Sequence, residues 1–141
     1  MTSIATNTMP IVDELSLRLR DFHRALITAE AGDDPSLKNP YTFLFAVLND
    51  PRFAWTGRLS QLIVKLDEEA AEGELTGAEH LCGYRDEVSR LLNEGKDGDA
   101  EFRLRHLIAL QKDPDVALAT GALRRVLARI PATQEAAPLV H

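Results

Sequence analysis

Proline marks out this chain. Met9-Pro10, Asn39-Pro40, Asp50-Pro51 and Asp113-Pro114 each stand immediately before an apolar run. Proline lacks an N–H and has a fixed φ, so it suits the first turn of a helix and breaks almost any other regular element. An Asp or Asn ahead of it is a ready N-cap. The chain is therefore punctuated as a succession of short helices.

The apolar residues between these marks keep helical spacing. Ile11, Leu15, Leu19, Phe22, Leu26 and Ala29 recur at threes and fours on one stripe, and Gly32 with Asp33, Asp34 and Pro35 ends that helix. A short helix from Pro40 carries Tyr41, Phe43, Leu44, Val47 and Leu48. An unbroken helix from Pro51 places Trp55, Leu59, Leu62, Ile63, Leu66 and Ala70 on one stripe. Phe53, Gly57 and Val64 lie on another, where Gly57 admits a neighbouring backbone. A break at Gly57 is the alternative, because glycine weakens a helix by about 1 kcal/mol.

Thr76 and Glu79 have capping-box spacing ahead of Ala78, Leu81, Tyr84, Val88, Leu91 and Leu92, with Gly95 as the stop. Asp99 caps a fifth helix, whose Phe102, Leu104, Leu107, Ile108 and Leu110 point several ways, as in a largely buried helix. Val116, Leu123, Leu127 and Ile130 line the last helix up to Pro131, and Arg124, Arg125 and Arg129 suit its negative end. Sustained alternation and hairpin signals are missing. Short connections favour antiparallel neighbours. The expectation is an all-α, single-domain antiparallel bundle of five or six helices over residues 10–131, with loose ends at 1–9 and 132–141.

The two Asp-Pro segments echo each other, "NDPRFAWTGRLSQLI" against "KDPDVALATGALRRVL". Two readings stand. One is a pair of pseudo-repeated three-helix halves, 10–72 and 76–130. The other is a chance likeness of two similarly capped helices. The block "DPRFAWTGRLSQLIVKLDE", with "ALQKDPDV", resembles parts of an uncharacterised family of small bacterial all-helical proteins. The resemblance spans most of the chain from the first helix to Ile130 and implies a bacterial cytoplasmic helical domain. It implies no reaction, cofactor or partner.

A net charge of -6 argues against general nucleic-acid binding, which needs a basic surface. The one cysteine forms no internal disulfide, which fits a reducing cytoplasm. The first ten residues lack Lys, Arg and an apolar run, so no signal peptide is expected, and no membrane span either.

No cluster spells out a reaction, so no catalytic residue and no cofactor are assigned. Metal-ligating Glu-x-x-His and His-Glu-x-x-His patterns are missing, and no metal ligands are assigned. His23 and His106 read as partly buried, hydrogen-bonded histidines, with a mixed His23–His106 metal site as the rival. Cys82 reads as a small buried hydrophobe. Trp55 reads as core or core edge, and Arg52 as a local partner of Asp50. The sharper reading makes Trp55, Arg52, Tyr41 and His106 the walls of a ligand cavity.

Leu17, beside Arg20 and Arg24, and Leu118, beside Arg125 and Arg129, interrupt charged faces as the edges of an interface do. The leading expectation is a non-enzymatic protein-interaction or regulatory module that binds a protein partner or itself as a homodimer. The alternative is a small-ligand- or metal-binding bundle with its cavity near Trp55. A nucleic-acid binder using Arg20, Arg24, Arg124, Arg125 and Arg129 comes third.

Overall fold

A computed structural model describes residues 10–92 and 99–131. They form α1 (Ile11–Ala31), α2 (Pro40–Asn49), α3 (Gly57–Ala71), α4 (Cys82–Leu91), α5 (Ala100–Lys112) and α6 (Pro114–Leu127). Short 3-10 turns at Pro35–Leu37, Pro51–Thr56 and Ala78–Leu81 precede α2, α3 and α4, and no strand occurs among the described residues. The expected loose ends at 1–9 and 132–141 and the stop at Gly95 lie outside the described residues.

The punctuation acts through side-chain caps. The Asn39 Oδ1 accepts from the Tyr41 N–H at 2.8 Å, and the Asp113 carboxylate from the Asp115 N–H at 2.9 Å. Asp99 accepts from the Phe102 N–H at 3.0 Å. Each bond satisfies a backbone donor that the first turn leaves free. Gly32, at φ 56°, ends α1, and its N–H reaches the Thr28 carbonyl at 3.0 Å.

The helix α1 is the axis of the bundle. Its predicted stripe Leu15, Leu19, Phe22, Leu26 and Ala29 is buried against Leu59, Leu62 and Leu66 of α3 and Leu123 and Leu127 of α6. Burying each leucine stabilises by about 2 kcal/mol. Pairs between α1 and α3 with its preceding turn run in opposite order: Ser16 to Asp67 at 2.8 Å, His23 to Ser60 at 2.9 Å, and Glu30 to Trp55 at 3.1 Å. The helix α6 is likewise antiparallel to α1, with Arg129 at its end pairing Glu14 at 2.9 Å. Tyr84 ties α4 to α3 by donating to Glu69.

Four local expectations need correction. Asp50-Pro51 opens a 3-10 turn rather than an unbroken helix, and α3 starts only at Gly57. Three residues per turn put Phe53 and Thr56 on one side, and both are buried. No neighbour comes near Gly57, so its missing side chain admits no other backbone. The Thr76–Glu79 box does not form, because the Thr76 N–H goes to His80 Nδ1 at 3.1 Å and α4 begins at Cys82.

The fourth correction concerns α5. It buries only Phe102, His106 and Ala109, while Leu104, Leu107 and Ile108 face out. An outer helix offers the core one face, whatever its composition. The two Asp-Pro segments differ directly after the cap, since one copy opens a 3-10 turn and the other an α-helix. Among the described residues no helix is long and apolar enough to cross a membrane.

Candidate functional site

Trp55 sits half-buried in the 3-10 turn ahead of α3, with its ring edge-on to Phe102 at 5.2 Å between centroids. Its indole N–H donates to the Glu30 carboxylate at 3.1 Å, which satisfies the one polar atom of the ring. A cleft of about 60 Å³ opens beside it, walled by Glu30, Arg105, Ile108 and Lys112 among others. Arg52, Tyr41 and His106 do not wall this cleft.

Arg52 does not pair through its side chain with Asp50, as the sequence suggested. The Asp50 carboxylate is occupied as a cap by the Arg52 backbone N–H at 2.9 Å. The guanidinium turns instead to Asp34, 3.4 Å away in sequence-distant contact, and lies 5.1 Å over the Phe53 ring. Its Nε is buried without a hydrogen-bond partner. Hydrogen bonds from the Ser36 hydroxyl and N–H, with a smaller contribution from Arg52, hold Asp34 below the usual carboxylate range.

His106 is buried between α5, α6 and the edge of Phe22, whose ring stands perpendicular to it at 5.3 Å. The Thr120 hydroxyl donates to the Val116 carbonyl at 2.7 Å. That uses its only hydrogen, so at 3.0 Å the His106 Nε2–H donates to Thr120 Oγ1. Burial, and secondarily the charge of Arg124, pushes the imidazole pKa down to about 4. The ring is therefore neutral near pH 7. It borders a groove of about 490 Å³ between α5 and α6 that also touches Arg103, Leu107, Ala117 and Arg124.

His23 points the other way, toward α3, where its Nε2 meets the Ser60 hydroxyl at 2.9 Å. The two histidines thus face different helices and do not form the mixed metal site weighed from the sequence. Among the described residues no group of three His, Cys, Asp or Glu side chains is placed to hold a metal ion. The His23–Ser60 contact has nucleophile-and-base spacing that the sequence did not reveal, since the residues lie on different helices. The same hydroxyl lies 3.4 Å from the Thr56 carbonyl, and burial lowers the His23 pKa. Cys82 is buried and its thiol donates to the Glu79 carbonyl at 3.0 Å.

The expected interface residues separate into two surfaces. Leu17 and Arg20 border a cleft between α1 and α3, where Arg20 pairs with Asp67. Arg24 and Leu118 border a groove of about 390 Å³ between α1 and α6, which also holds Asp21, Asp113 and Asp115. Acidic neighbours therefore stand beside Arg20 and Arg24, and Glu14 pairs with Arg129, three of the arginines that a nucleic-acid surface would use.

The most conspicuous surface is on α2. Tyr41, Leu44, Phe45 and Leu48 are 83%, 59%, 68% and 72% exposed. Their spacing of three, four and seven residues lines them along one side of the helix. The opposite side, through Ala46 and Phe43, rests on the 3-10 turns that flank it in sequence, with the Phe43 ring 6.0 Å from that of Phe53. No residue of α2 belongs to the main core cluster.

The apolar spacing of the sequence marks Tyr41, Leu44 and Leu48 on this helix but not Phe45, which the structure adds to the stripe. One signal was available. From Asn39 to Asn49 there is no charged residue, so this helix is apolar around more of its circumference than one contact face covers. No family model, curated protein or solved structure matches the chain.

Proposed function

We propose that this chain is a non-enzymatic protein-interaction module of the bacterial cytoplasm, and that α2 is its docking helix. The observation that carries this reading is the aligned exposure of Tyr41, Leu44, Phe45 and Leu48 on a helix without charge. Scattered exposed leucines are ordinary on a protein surface, but four large side chains in one stripe, two of them aromatic, make a patch that association covers. Helix-on-helix recognition uses this spacing of anchors. The partner is a protein, which includes a further copy of the chain, and nucleic acid is disfavoured by the acidic balance.

A photo-crosslinking amino acid placed at Leu44 in living bacterial cells tests the reading. The expected result is a covalent protein adduct of defined mass, with none from the same group placed at exposed Glu101 on α5. An adduct-free Leu44 position would remove α2 as a docking helix.

A further inference from the structure

We infer that the occupant of the α2 face is a second copy of this chain, with the two α2 helices packed antiparallel across a twofold axis. The inference rests on reading α2 as a protein-interaction surface, and it deepens that reading by naming the partner.

The area is of the right size. At roughly 150–250 Å² for a large side chain, the exposed parts of Tyr41, Leu44, Phe45 and Leu48 amount to about 500 Å² per copy. Two copies together bury about 1,000 Å², the lower bound for a specific interface.

The face also complements itself, as a twofold contact requires. Each copy carries a net charge of -6, so two copies repel each other overall. The uncharged stripe from Asn39 to Asn49 is where two acidic copies meet without facing like charges. Charge returns at the two ends with opposite sign, exposed Lys38 before the helix and exposed Asp50 after it. In an antiparallel pair Lys38 of one copy lies beside Asp50 of the other. The positive end of each helix dipole then meets the negative end of its neighbour. Leu44 and Phe45 fall on the axis, and Tyr41 packs against the second copy's Leu48.

Sedimentation velocity of the full chain from about 1 to 200 µM tests the inference, with an interface this small expected to be half-dimeric in the micromolar range. Phe45→Glu, verified as folded by circular dichroism, is expected to weaken dimerisation by about 30-fold or more. Leu118→Glu is expected to dimerise as the wild type does. Leu44→Cys in a Cys82→Ser background is expected to form a disulfide-linked dimer on mild oxidation.

A dimer that survives Phe45→Glu and is lost in Leu118→Glu would overturn the inference and move the contact to the α1–α6 groove. A monomer whose Leu44 photo-adduct is a different protein would overturn the second copy and leave the interaction reading intact. A monomer without any adduct would overturn both. Co-sedimentation of a monomer with phosphatidylcholine vesicles, abolished by Phe45→Glu, would assign the stripe to a lipid surface and overturn both as well.

Discussion

At the scale of single residues, burial and hydrogen bonding decide what each side chain does. His106 has its pKa lowered from 6.5 to about 4, so it is held neutral in the fold. As pH falls, the unfolded chain takes up this proton first. The stabilising contribution is therefore complete above about pH 6.5 and is lost as pH falls toward 4. Between pH 7 and 5 the loss is about 2 kcal/mol. Urea unfolding at both pH values should show it, and His106→Gln should reduce it. Phe22, fully buried against Phe102 and His106, is expected to cost about 3–5 kcal/mol when replaced by alanine. Phe45→Ala, measured at low protein concentration, is expected to cost under about 0.5 kcal/mol, because its side chain is already in water. Chemical denaturation of the two variants would check the contrast. The sequence marked Phe22 as core through its register in a clean stripe. The partners of Arg52, His23 and His106 were not legible, because they lie 18, 37 and 14 residues away in the chain.

At the scale of elements, the same cap chemistry should give different readouts according to what the helix rests on. Removing an Asx cap costs about 1 kcal/mol. Asp113→Ala should lower global stability by that amount, because α6 lies in the core through Val116, Leu123 and Leu127. Asn39→Ala should instead open α2 alone, since a ten-residue helix off the main core cluster is marginal by itself. Hydrogen exchange is the discriminating measurement. Faster exchange confined to the α2 amides, with an unchanged denaturation midpoint, is the expected result. All six helices were legible in the sequence because their apolar spacing is local, and at α2, α5 and α6 the caps are local too. The 3-10 turn at Pro51–Thr56 was not, since its Asp-Pro start also opens an α-helix elsewhere in the chain. What differs is the packing of Phe53 and Thr56 beneath it.

At the scale of the whole molecule, association and charge act together. If two copies join through α2, the thermal midpoint should rise with protein concentration, and Phe45→Glu should remove that dependence. Calorimetry over a hundredfold dilution checks both. The two copies are acidic and their contact is apolar, so added salt should screen repulsion and strengthen the dimer. A nucleic-acid complex would respond to salt in the opposite sense.

The sequence by itself determined the all-helical class, the cap at each Asx-Pro start and the buried stripe of α1. These depend on hydrogen bonds within a turn and on a 3.6-residue period, which a few neighbouring residues specify. Only the tertiary structure decided which apolar residues remain outside. Tyr41, Leu44 and Leu48 carry the same helical signal as Leu15, Leu19 and Leu26, yet one set meets water and the other is fully buried. A helix pattern says that a face is apolar. Whether that face is covered depends on the area its neighbours present: among the described residues α1 packs on α3 and α6, while α2 rests chiefly on the turns beside it.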